Sequence, residues 1–140
     1  NDKMNILNEL RKGNIVDLGS RIAKIQEIYH NSCSVLDLEE TQDTLEGIER
    51  IKPLKLTPEW ILKAGFVKKE KSPVEYELKI NKHLIYEVRW NRLNQEIHSL
   101  GVVITSDEGE NEGMVNFAWN IEYVHSFQNI MFGILKKEIY

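Results

Sequence analysis

Strict alternation of apolar and polar side chains over two long stretches constrains this chain more than any other feature. Tyr76, Leu78 and Ile80 alternate with Glu77 and Lys79, and Leu84, Tyr86, Val88 and Trp90 alternate with Ile85, Glu87 and Arg89. A period of two sends successive side chains to opposite faces of a strand, so these runs predict strands with one buried face. A three-residue loop at Asn81-Lys82-His83 pairs Ile80 with Leu84, Leu78 with Tyr86 and Tyr76 with Val88. A two-residue loop would set Tyr76 against Glu87, so the hydrophobic pattern selects the longer loop and leaves His83 at an exposed tip. Farther on, Leu100, Val102 and Ile104 precede a loop from Ser106 to Gly113, and Val115, Phe117, Trp119 and Ile121 return in strict alternation. The two hairpins together predict a four-stranded antiparallel meander with one covered face.

The C-terminal stretch supplies a cover for that face. At 100° per residue, Val124, Phe127, Ile130, Met131, Ile134 and Leu135 fall within an arc of about 140°, the stripe of an amphipathic helix. Upstream, Thr57 suits an N-cap, Pro58 the first helical position and Gly65 a left-handed stop, so a short helix is expected there with Trp60, Ile61 and Ala64 facing inward.

The first part of the chain reads as short strands. Ile15 to Leu18, a Gly19-Ser20 turn, and Arg21 to Tyr29 form a hairpin; Ser32 to Leu38 follows, then an acidic loop from Glu39 to Glu46 and a fourth strand from Gly47 to Pro53. This spacing predicts a small, strongly bent antiparallel sheet or a small barrel of SH3-like type. Ile6, Leu7 and Leu10 have helical spacing ahead of it, and Asn1-Asp2-Lys3 before Met4 read as a tag remnant. The expected fold is therefore α+β: an N-terminal β subdomain over residues 4–56 and a C-terminal α+β subdomain over residues 57–140, joined as one cooperative unit.

Composition narrows the function classes. A chain of 140 residues, 41% hydrophobic and 29% charged, is ordinary for a globular domain. With no apolar run near the roughly 20 residues of a membrane span, no membrane association is expected and a cytoplasmic location is. Net charge is −4, but residues 50–92 carry 11 basic and 5 acidic groups while the flanking segments are acidic. The overall negative field argues against duplex nucleic acid, and the basic middle permits a local anion site.

Catalytic chemistry has no foothold. His30 and Cys33 are separated by a turn signal, with no cation or helix N-terminus to activate the thiol. The loop SDEGENEG lacks the ligand spacing of an EF-hand, and the lone Cys33 and singly placed histidines exclude a zinc finger. Neither GxxxxGK nor GxGxxG occurs. No catalytic residue, metal or cofactor is expected. Two clusters remain. Lys79, Arg89 and Arg92 are candidate phosphate ligands, with Tyr86 or Trp90 stacking a base. His125, Gln128 and Asn129 form a polar edge beside the stripe of the last helix, which either fixes the helix to the first half of the chain or lines a pocket; Ser126 is about 100° from His125, so the two form no dyad.

Three blocks of sequence resemble a family of small uncharacterised proteins of Bacteroides-type bacteria, their prophages and phages. Leu10-Arg11-Lys12-Gly13-Asn14 is similar to that family's LRIGN opening, residues 51–66 to its PIPLTEEWLLKFGF block, and residues 121–129 to its IKYVHQLQNLYFAL block. This chain departs from the pattern at Pro58, Ala64 and Ser126. The resemblance brings no catalytic residue. It implies a phage or prophage accessory protein that works stoichiometrically, by binding a host protein or assembling with itself; the alternative is a sponge for a nucleotide-derived immune signal.

Overall fold

The computed structural model describes residues 8–39 and 43–140. Ile6, Leu7, the Met4 start and residues 40–42 of the expected acidic loop lie outside them. In chain order the strands are β1 (Ile15–Asp17), β2 (Ile22–Ile28), β3 (Ser32–Asp37), β4 (Asp43–Gly47) and β5 (Lys52–Pro53), with a 3-10 turn at Ile48–Arg50. Helix α1 (Pro58–Lys63), β6 (Val67–Lys68), β7 (Glu75–Lys79), β8 (Leu84–Asn91), β9 (Glu96–Thr105), β10 (Asn111–Ile121) and α2 (Val124–Leu135) follow. The fold is α+β with antiparallel sheets, in two compact units: the segment up to Lys55 with Tyr123–Glu138, and Leu56–Glu122 with Ile139–Tyr140.

The first unit holds a five-stranded sheet in the order β4-β3-β2-β1-β5. Val16, Ala23, Ile25, Cys33 and Val35 lie in its core with Leu10, Leu18 and Ile51. The sheet is antiparallel and not a closed barrel, with β4 and β5 at its edges. Strand β5 has two residues and ends on Pro53, which has no N–H to extend a ladder.

The fourth strand also lies earlier than expected, at Asp43–Gly47, inside the segment read as a solvated acidic loop. Arg21 explains the difference. Its Nη2 donates to Thr44 Oγ1 and Glu46 Oε2, both at 3.0 Å, and its Nε lies 3.4 Å from Asp37 Oδ2. A guanidinium fork that meets these three oxygens compensates the Glu46 carboxylate where β4 pairs with β3.

Helix α2 belongs to this unit, not to the meander it was expected to cover. Tyr123 bridges Lys55, and the Val124 N–H donates to the Leu54 carbonyl at 2.9 Å. Its buried face also differs from the expected stripe: Val124, His125, Phe127, Gln128 and Met131 are buried, while Ile130, Ile134 and Leu135 are half-buried. Two polar side chains are therefore inside.

The second unit is a five-stranded sheet in the order β10-β9-β8-β7-β6, the expected meander with β6 added at the edge. Leu78 pairs with Tyr86 and Tyr76 with Val88, the register that the three-residue loop requires. Helix α1 starts after an extended Thr57, has Pro58 at its first turn, and is stopped by Gly65 at φ +105°. Ile61 is its buried residue and Phe66 is buried just past the stop, while Trp60 is half-buried with its ring edge-on to Tyr140 at 5.1 Å.

Strand β10 departs from strict alternation. Val115 pairs with Val102 but Trp119 pairs with Ser99, because a bulge between Asn116 and Ala118 adds one residue. An extra residue swaps faces beyond it. Val115 and Phe117 therefore share a face with Val102 and Tyr86, and Trp119 lies on the other.

Candidate functional site

The expected phosphate and base ligands do not form one site. Lys79, Glu77, Glu87 and Arg89 share one face of the second sheet. Lys79 pairs with Ile85, four residues along β8 from Arg89, which is about 13 Å at ~3.3 Å per residue. Carboxylates fill the interval: Lys79 is 4.0 Å from Glu77, and Lys69 is 3.1 Å from Glu87. Tyr86 lies on the opposite face, edge-on to Phe117 at a centroid distance of 6.3 Å. Lys79 and Tyr86 therefore separate from the arginines.

Arg89, Trp90 and Arg92 do come together. They line a cavity of about 280 Å³ at the β8–β9 turn with Asn91, Leu93 and His98. The turn is held by its own hydrogen bonds: Asn91 Oδ1 accepts the N–H of Leu93 at 2.9 Å and of Asn94 at 3.1 Å, and Gln95 Nε2 donates to the Arg92 carbonyl at 2.6 Å. Trp90 is only 6% exposed, so it floors the cavity without offering an open ring face. His98 was missed in the sequence because it stands alone there; the register shift between Arg89 and Trp90 is what puts it beside the turn.

A second cavity, about 650 Å³, opens beside β6. Lys68, Lys69 and Lys71 line it together with Glu70, Glu75 and Glu77. Three cations balanced by three carboxylates give it no preference for an anion.

In the first unit, the polar edge of α2 is occupied by the chain itself. Gln128 Oε1 accepts the Ile15 N–H at 2.8 Å, and its Nε2 donates to the Gly13 carbonyl at 3.0 Å. Asn129 accepts from Asn14 Nδ2 at 2.8 Å and donates to the Glu9 carbonyl at 2.9 Å. His125 differs: it is buried, stacked on Tyr123 at 5.9 Å, and neither ring nitrogen has a hydrogen-bond partner among the described residues. Its Nε2 lies 3.7 Å from a Glu9 carboxylate oxygen. Burial pushes the imidazole pKa below its ordinary value, and Glu9 opposes the shift.

Strand β10 carries several exposed apolar side chains. Val115 is 58% exposed, Trp119 56%, Met114 50% and Phe117 38%, with Ile104 at 44% on the adjoining strand. Strand β10 is an edge of its sheet and runs eleven residues, of which only Glu112 is ionisable.

Candidate catalytic groups stay apart. Cys33 is fully buried, and burial raises its thiol pKa, so the thiolate that would be a nucleophile is disfavoured; His30 is exposed. Asp107 of the acidic loop lies 3.3 Å from His83 Nε2 and 3.8 Å from Lys82 Nζ. Among the described residues no group of three or more metal-ligating side chains converges, and no helix is long and apolar enough to cross a membrane. No family model, curated protein or solved structure matches the chain.

Proposed function

We propose that this chain is a non-enzymatic phage or prophage accessory protein of the bacterial cytoplasm that acts by stoichiometric binding, with a second copy of itself on the β10 side of the second unit. The observation that carries this reading is the exposed apolar set Met114, Val115, Phe117 and Trp119 on an edge strand. Soluble proteins ordinarily protect long edges with charges or cover them, and β10 has one ionisable side chain in eleven residues. Large side chains on both faces of one edge suit a partner that grips it from both sides. An isologous pair covers the same patch on each copy in a single closed contact.

Sedimentation over a range of concentrations tests the reading. A concentration-dependent dimer that Val115→Lys with Trp119→Glu dissociates, at unchanged melting temperature, supports it. A monomer at every concentration removes self-assembly. In that case, capture of one host protein by the unmodified chain and not by the variant assigns the same surface to a host partner.

The sponge for a nucleotide-derived signal has weaker support. Its phosphate half has Arg89 and Arg92, but of its two proposed base-stacking rings Tyr86 is on the other face and Trp90 is buried.

A further inference from the structure

We propose that the cavity at the β8–β9 turn is a binding site for a phosphate monoester, independent of the β10 surface. The chain has five arginines, and three of them meet carboxylates: Arg11 with Glu138, Arg21 with Glu46 and Asp37, and Arg50 with Glu46. The other two, Arg89 and Arg92, form no ion pair among the described residues. Both line this one cavity. Two guanidinium groups with like charge at one concave surface repel each other, and an anion between them relieves that repulsion. Glu75 stands opposite Arg89 in the strand register, yet no ion pair joins them.

Geometry favours a compact dianion. The cavity of about 280 Å³ lies just under the ~300–1,000 Å³ of sites that bury a whole small molecule. A phosphoryl group with a short substituent fits such a volume, and a dinucleotide does not. Guanidinium forks match phosphate oxygens bidentately, and a monoester presents two negative charges where a diester presents one. His98 adds a ring nitrogen on the same wall, and the bonds of Asn91 and Gln95 hold the Arg92 backbone in place before any ligand arrives. Binding then has only the two arginine side chains to order, not the turn that carries Arg92.

Calorimetric titration with inorganic phosphate, phenyl phosphate and a cyclic dinucleotide tests the site. Saturable binding of the first two is expected, weakened at least about tenfold by Arg89→Gln or by Arg92→Gln and unchanged by Lys79→Gln. The substituted side chains are exposed, so melting temperatures should match that of the unmodified chain. Absence of saturable phosphate binding overturns the proposal. So does equal weakening by Lys79→Gln, which would reveal only a diffuse attraction to the basic segment, and so does binding of the diester alone. None of these substitutions touches β10, so a lost phosphate response leaves the self-association reading standing.

Discussion

The side-chain carbonyl of Gln128 accepts the backbone N–H of Ile15 at 2.8 Å, and both residues are buried. This bond joins residues 113 positions apart, and the same amide returns to the Gly13 carbonyl. One glutamine thereby satisfies the chain on both sides of Asn14, which is itself buried and bonded to Asn129. A buried amide with every polar atom paired sets one position for α2 rather than a range of them.

Replacing Gln128 with Leu keeps the volume and strands the buried Ile15 N–H and the half-buried Gly13 C=O. We expect a loss of about 2–3 kcal/mol of unfolding free energy, measured by urea denaturation at neutral pH. A loss below about 0.5 kcal/mol, within the range of an ordinary surface substitution, would mean that water replaces the amide.

His125 makes stability depend on pH. Burial favours its neutral form in the folded state, so as pH falls below the ordinary value of 6.5 the unfolded chain takes up this proton first. The contribution is complete above pH 6.5 and is lost as pH falls, until the folded ring itself protonates, with a slope of no more than about 1.4 kcal/mol per pH unit. His125→Phe should flatten melting temperature against pH below 6.5, and Glu9→Gln should steepen it by removing the carboxylate that favours the imidazolium. Parallel pH profiles for the unmodified chain and His125→Phe would rule the ring out as the source.

Charge on β10 should cost association and not folding. Val115 and Trp119 are more than half exposed, so Val115→Lys and Trp119→Glu should each move unfolding free energy by less than about 0.5 kcal/mol. Sedimentation and denaturation of the same samples separate the two effects. A melting temperature that falls together with the dimer would show that these residues support the sheet itself.

Gly101 holds β9 and β10 close. A Cβ there would stand 2.6 Å from the Val115 carbonyl oxygen and 3.0 Å from Asn116 Cα, both backbone atoms. Gly101→Ala should cost about 1–3 kcal/mol and raise amide hydrogen exchange along Met114–Ala118 before any other strand. Unchanged exchange in that segment would show that the ladder shifts to admit a methyl group.

Local patterns carried much of the fold. The register of β7 with β8 followed from Tyr76, Leu78, Tyr86 and Val88, because a slip of one residue would have turned every apolar side chain to the wrong face. The boundaries of α1 were equally legible in Thr57, Pro58 and Gly65, whose backbone preferences act within a few residues. Strand β4 was not legible, since its Glu46 is compensated by Arg21, a residue 25 positions away in the chain. The bulge at Asn116–Ala118 was not legible either: Val115, Phe117 and Trp119 alternate perfectly, and only the pairing with β9 shows that they do not share a face.

The candidate site divides in the same way. Arg89, Trp90 and Arg92 are close in sequence and meet at one turn, whereas Lys79 shares the face of Arg89 but lies four residues along the strand from it, and Tyr86 lies on the other face. The sequence by itself determined the four-stranded meander of the second unit, the bounds of α1 and the helix at Val124–Leu135, because period and local backbone preference are short-range physics. Only the tertiary structure decided which sheet α2 accompanies and what remains uncovered on β10. Those outcomes rest on bonds such as Gln128 to Ile15, between residues that no local pattern connects.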